Sequence, residues 1–187
     1  MTDSTRPKRV LLVVGGGIAA YKAAVICSRL AQAGHHVQTV MTRSATEFLG
    51  PATLAALSGR PVGLDGFDSR YPLGAHIEMA LDVDVMIVAP ATANLIAKFA
   101  HGIADDLAST IYLQNTAPVL VAPAMSDPMW NKPSLARNVA QLVDDGCEII
   151  GPDSGWLSCR VKGMGRMVDP ETILGRVAEI LGAPDRR

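Results

Sequence analysis

Five short apolar runs, rich in β-branched residues and separated by helix-length segments, constrain this chain more than any other feature. They span Arg9 to Val14, His36 to Met41, Val83 to Ala89, Val119 to Ala122 and Glu148 to Ile150. Runs of this kind suit strands buried on both faces. Ile18 to Ala33 closes at Gly34, Ala91 to Ala100 closes near Gly102, Ala104 to Leu113 follows, and Ser134 to Asp145 closes at Gly146. Each has helical length and most end at the glycine that a helix C-terminus favours. Strand alternating with helix predicts an α/β fold, a doubly wound parallel sheet wrapped by helices. Pro170 to Leu181 reads as a last helix capped by Asp169. No repeat or linker divides the chain, so a single domain over 1–187 is expected, with fraying at 1–8 and 183–187.

Composition narrows the functional classes. A hydrophobic fraction of 49% excludes disorder, and a net charge of -1 with 4% aromatic residues leaves neither the basic footprint nor the stacking rings of a nucleic-acid binder. Small-molecule, cofactor or protein partners are expected instead. The N-terminal apolar run is too short for a membrane span and leads into glycines rather than a cleavage site, which predicts a cytoplasmic protein. Cys27, Cys147 and Cys159 form an odd set without paired metal-ligand spacing, arguing against a disulfide frame and against a metal site. Cys27 and Cys147 fall in helical and strand patterns and are assigned to the core.

In such sheets ligands bind beyond the carboxyl ends of the strands. After the first strand, Gly15-Gly16-Gly17-Ile18-Ala19-Ala20 matches G-x-G-x-x-A and opens a helix whose free amides attract phosphate. The second strand ends at Met41-Thr42-Arg43-Ser44 without the acidic residue that holds a ribose diol, so a mononucleotide or an NADP-like group fits better. A tight turn with a helix cap at Ser44 is the alternative. Ala89-Pro90-Ala91-Thr92-Ala93-Asn94 presents small residues beside two hydrogen-bonding side chains, room for a flat ring. Asp105 and Asp106 suit a helix N-terminus. Met125, Ser126, Met129 and Trp130 form either core or the wall of an apolar pocket anchored by Ser126. His76 sits where a helix aims it at the same sheet edge, whereas His35, His36 and His101 are assigned to surface or capping roles.

Residues 151–167 show neither helical nor strand period, and a loop of this length inside a domain commonly covers a site. They place Cys159 among Gly155, Gly163 and Gly165 and the cations Arg160, Lys162 and Arg166. Such cations lower a thiol pKa from its ordinary value of about 8.5 and hold anions. An unremarkable surface loop is the competing reading.

Taken together, Gly15 to Lys22, His76, Pro90 to Asn94, Gly102 to Leu107, Pro123 to Trp130 and Gly155 to Met167 resemble the homo-oligomeric flavin-containing cysteine decarboxylases, through nearly the whole chain. The resemblance implies a flavodoxin-like, Rossmann-like three-layer sandwich that binds FMN at a subunit interface of a homotrimer. By motif position Gly17, Ser44, Thr92, Asn94 and Ser109 would line the FMN site, and His76 would be the catalytic base. Ser126 and Met129 would contact substrate, although Ser126 stands where the family's Pro-x-Met-Asn motif has asparagine. Residues 151–167 would be a substrate flap bringing Cys159 as a second catalytic residue.

The implied activity is that of a carbon-carbon lyase. Decarboxylating an ordinary cysteine leaves an unstabilised carbanion, whereas oxidation to a thioaldehyde lets carbon dioxide leave as an enethiolate forms. In the coenzyme A branch of the family, a cysteine at the position of Cys159 protonates that enethiolate, turning 4'-phosphopantothenoylcysteine into 4'-phosphopantetheine. In the peptide branch the enethiol is the product. A non-catalytic FMN-binding protein and an NADP-dependent reductase are the readings from other classes.

Overall fold

The structure, a computed structural model, describes residues 6–182. Strands β1 (Arg9–Val14), β2 (His36–Met41), β3 (Val85–Ala91), β4 (Val119–Pro123) and β5 (Glu148–Ile149) form one parallel sheet in the order β2-β1-β3-β4-β5. The helices are α1 (Ala20–Gln32), α2 (Pro51–Ser58), α3 (Ala75–Ala80), α4 (Ala93–Ala100), α5 (Leu107–Gln114), α6 (Asp127–Trp130), α7 (Pro133–Asp144) and α8 (Pro170–Gly182).

Alternate strand residues feed two cores. Leu12, Val14 and Ile87 pack with Ile26 and Leu30 of α1 and Ile173 and Val177 of α8. Leu11, Val13 and Val88 face the other way, onto Leu95 and Phe99 of α4, Ile111 of α5 and Leu142 of α7. Burial of each such side chain contributes roughly 1.5–3 kcal/mol. The sheet is therefore covered on both faces, which is the doubly wound, flavodoxin-like α/β fold expected. Because β1 lies between β2 and β3, a crevice opens beyond the carboxyl ends of β1 and β3, where the winding reverses.

Several elements differ from the sequence reading. The third strand begins at Val85, because Asp82 takes a positive φ of 53° and the Asp84 carboxylate accepts a hydrogen bond from the Arg9 amide at 2.7 Å. Helix α2 is an addition, marked by Pro51 in its first turn and by left-handed Gly59 at its end. A short 3-10 turn over Arg43–Glu47 is capped by Thr42, whose hydroxyl accepts from the Ala45 amide at 3.2 Å, so Ser44 is not the cap.

The segment 151–167 is not a periodless loop. It contains an antiparallel hairpin of β6 (Asp153–Trp156) and β7 (Lys162–Arg166). Gly155 pairs with Gly163, and most of the hairpin's other residues are exposed, so no alternation of hydrophobicity marks it. At α8 the Asp169 carbonyl accepts from the Thr172 amide at 3.0 Å, while its carboxylate turns instead to Lys22 and Arg166. The expected frayed ends at 1–5 and 183–187 lie outside the described residues. Within 6–8, Arg6 pairs with Asp84 at 2.6 Å and the Lys8 carbonyl accepts from the His36 amide at 2.8 Å.

Candidate active site

The carboxyl ends of β1, β2 and β3 meet through two close approaches. The Gly15 amide donates to the Pro90 carbonyl at 3.0 Å, and a Cβ on Gly15 would stand 2.5 Å from that oxygen. A Cβ on Gly16 would stand 2.3 Å from the Ser44 Cβ, so only glycine lets these loops touch. Gly17 has nothing within 4 Å of its would-be Cβ and faces open space. No side chain caps α1 and no acidic residue lies in its first turn. Although the Ala20 amide donates to the Gly17 carbonyl at 2.9 Å and the Lys22 amide to the Ala19 carbonyl at 3.0 Å, the positive end of the helix dipole, beside exposed Ser44, makes a cradle suited to a phosphate.

Around the cradle the next two helix starts are built by side-chain caps. Half-buried Thr92 caps α4, accepting from the Leu95 amide at 3.3 Å, and Asn94 is exposed in the first turn. Asp106 caps α5, accepting from the Ser109 amide at 2.8 Å, and the Ser109 hydroxyl in turn accepts from the Asp106 amide at 3.2 Å. Ser109 is fully buried. Lys98 bridges Asp105 at 2.5 Å and Asp106 at 2.6 Å. Burial alone would raise the Asp106 pKa, but hydrogen bonds from Lys98 and Ser109 outweigh it and hold the carboxyl below its ordinary value. Asp106 thus serves a helix N-terminus, as expected, while Asp105 pairs with Lys98.

Beyond β4, the Ser126 carbonyl accepts from the Met129 and Trp130 amides, each at 3.0 Å, while its half-buried hydroxyl caps nothing. Met129 is exposed, and Trp130 packs partly against the core. The hairpin docks here. The Met125 amide donates to the Gly165 carbonyl at 2.9 Å, and the Met164 amide donates to Asp127 Oδ1 at 2.8 Å. The Asn131 side chain steadies Asp127 from the other oxygen at 3.0 Å.

At the hairpin tip the Leu157 amide donates to the Val161 carbonyl and the Arg160 amide to the Leu157 carbonyl, both at 2.9 Å. Arg160 takes a φ of 64°, turning the chain so that Cys159 is exposed at the end of the flap. Trp156, Val161 and Met164 are exposed apolar neighbours of that tip. Cys27 and Cys147 are buried, and burial pushes the Cys27 thiol up to about 11, as befits core residues.

His76 occupies the first turn of α3, half-buried, with its ring over Gly74, where a Cβ would lie 3.1 Å from the imidazole Cε1. Among the described residues it has no hydrogen-bond partner in its own chain, and neither it nor Cys159 bonds to the glycine cradle. His101 ends α4 and His36 lies against Arg60 at 3.1 Å, surface and capping positions as expected. His35 is half-buried rather than on the surface, with its Nδ1 buried and unpaired.

Two described cavities, of about 200 and 180 Å³, lie elsewhere. One is lined by Arg9, His36, Arg60 and Glu78, the other by Arg29, His35, Leu174 and Leu181. The sequence reading missed roles for Lys22, Asp127 and Asp169. Lys22 is a charged residue in an amphipathic helix yet is only 7% exposed, and nothing in its spacing distinguishes it from a surface lysine.

A family model described as Flavoprotein matches residues 1–182. The coenzyme A biosynthesis bifunctional protein CoaBC of Bacillus subtilis (strain 168) is 47% identical over 168 residues, covering 89% of this chain and 41% of that protein. The chain thus spans about two fifths of the length of the curated relatives it matches. Among solved structures, a cysteine-to-serine mutant of PPC decarboxylase complexed with pantothenoylaminoethenethiol superposes with a TM-score of 0.86 at 32% identity, covering 95% of this chain and 100% of that one. The FMN-dependent cysteine decarboxylase SpaF gives 0.80 at 31% identity, covering 94% and 98%.

Proposed function

This chain belongs to the flavoprotein family, and from that membership we propose that it is an FMN-dependent decarboxylase converting 4'-phosphopantothenoylcysteine to 4'-phosphopantetheine. The observation that carries the reading is the placement of Cys159 at the exposed tip of a hairpin whose foot is pinned beside Ser126. A proton donor carried on such a flap is what separates a saturated thiol from an enethiol. The similar PPC decarboxylase structure, a cysteine-to-serine mutant holding an aminoethenethiol, supports this division of labour.

The described residues fit FMN. The uncapped start of α1, with Gly17 facing open space and Ser44 alongside, would take the phosphate. Thr92, Asn94 and Ser109, at the starts of α4 and α5, would line the rest of the cofactor site. FMN, when bound, would supply two-electron redox chemistry. His76 removes a proton from the substrate as its thiol is oxidised. Ser126 and Met129 hold the substrate, and Cys159 delivers a proton to the enethiolate carbon after carbon dioxide leaves.

Neither His76 nor Cys159 hydrogen-bonds to the cradle within one chain, and on this reading a neighbouring copy in a homotrimer completes the site. On this reading the decarboxylase acts in the cytoplasm. A second reading, decarboxylation of a peptide's C-terminal cysteine, draws on the likeness to SpaF and on Ser126 in place of asparagine. Purified protein should show an FMN spectrum and release carbon dioxide from 4'-phosphopantothenoylcysteine without net flavin reduction. A protein that takes up no FMN on reconstitution refutes both readings.

A further inference from the structure

Lys22 is the one buried cation among the described residues, and the hydrogen bonds of its ammonium all go to one stretch of chain. Its Nζ donates to the Met167 carbonyl at 2.9 Å, to the Val168 carbonyl at 3.4 Å and to Asp169 Oδ1 at 2.8 Å. These three residues follow immediately after β7, the strand that returns from the Cys159 tip. The same Asp169 oxygen accepts from Arg166, the last residue of β7, at 2.7 Å. Arg166 in turn lies across β6, where a Cβ on Gly155 would stand 2.8 Å from its Cδ.

A lysine in the first turn of a helix opposes the helix dipole, and burying its ammonium adds a desolvation cost. Three acceptors offset both, and breaking such a set leaves a buried charge unpaired. Met167 and Val168 are themselves buried in the core that contains Ala20 and Ala23 of α1. The foot of the flap is therefore seated on the helix whose amino end forms the anion cradle.

We propose that Lys22, through Asp169 and Arg166, is a positioning residue that couples occupancy of the α1 cradle to the placement of the Cys159 hairpin. An anion held at the α1 amino end steadies the first turn of the helix, and that turn holds Lys22. The flap is then anchored most firmly when the cofactor is in place. The docking of Gly165 on Met125 ties the same strand, β7, to the end of β4. This inference rests on the FMN reading for its coupling and on geometry alone for the anchor.

The test is limited trypsin digestion at Arg160 and Lys162, with and without saturating FMN, in the wild type, Lys22→Met and the milder Asp169→Asn. In the wild type FMN should slow flap cleavage about tenfold, and in both variants that protection should shrink to less than about twofold, with ligand-free cleavage faster than in the wild type. A variant that only lowers global stability would speed cleavage throughout the chain rather than lose protection at these two bonds. Equal FMN protection in the wild type and both variants overturns the coupling. If the wild type binds no FMN, the functional reading fails by itself, and the ligand-free rates still decide the anchor: faster flap cleavage in Asp169→Asn supports it and an unchanged rate overturns it.

Discussion

Gly165 lies so close to Met125 that a Cβ on it would stand 2.3 Å from the Met125 carbonyl oxygen, and its φ of 121° is open only to glycine. Its own carbonyl accepts from the Met125 amide at 2.9 Å. This one contact ties the returning flap strand to the end of β4, next to Ser126. Gly165→Ala is expected to destabilise the protein by about 1–3 kcal/mol and to release the flap. Chemical denaturation and the rate of proteolysis at Arg160 check it.

Gly17 is the opposite case, with nothing within 4 Å of a would-be Cβ and no positive φ. Gly17→Ala should leave stability within about 1 kcal/mol of the wild type while placing a methyl in the cradle. FMN affinity should fall by about tenfold or more, read by fluorescence titration. Unchanged affinity would move the phosphate away from α1.

Asp169 gives the anchor a pH dependence. Hydrogen bonds from Lys22 and Arg166 hold its carboxyl at about 2, below an unfolded value of about 3.9. A depressed carboxylate contributes stability that is present above the unfolded pKa and lost as pH falls through the folded one. The gap in stability between the wild type and Asp169→Asn should therefore be full above about pH 4 and close towards about pH 2. The Asp169 side chain is 53% exposed, so added salt should narrow the gap at neutral pH.

His76→Asn removes the proposed base but keeps a planar, hydrogen-bonding side chain next to Gly74. FMN should stay bound, and release of carbon dioxide should fall by about a hundredfold or more. Undiminished release would take His76 out of the reaction.

The sheet was legible in the sequence because its strands are buried on both faces, so Leu11 to Val14 and Val85 to Ala89 read as continuous apolar runs. The glycine cradle was legible because each close approach forbids a Cβ, at Gly15 against Pro90 and at Gly16 against Ser44. The hairpin was hidden for the converse reason. Its strands are exposed and rich in glycine, and on the hairpin's side the docking uses the backbone groups of Met164 and Gly165, which carry no residue pattern. Lys22 was hidden because its acceptors, two of them backbone carbonyls, lie 145 to 147 positions away. Asp169 sat where a helix cap belongs, and only the fold shows its carboxylate turned to Lys22.

Cys159→Ser should leave FMN binding intact and halt the reaction after carbon dioxide has left, giving an enethiol two hydrogens short of the wild-type product. Saturated product from this variant at the wild-type rate would remove Cys159 from proton delivery.

The central claim is tested most directly by mass spectrometry of the product that the FMN-loaded wild-type protein forms from 4'-phosphopantothenoylcysteine. The account predicts a product lighter than the substrate by carbon dioxide alone, the saturated thiol. A product lacking a further two hydrogens, or turnover only of a peptide ending in cysteine, would contradict it.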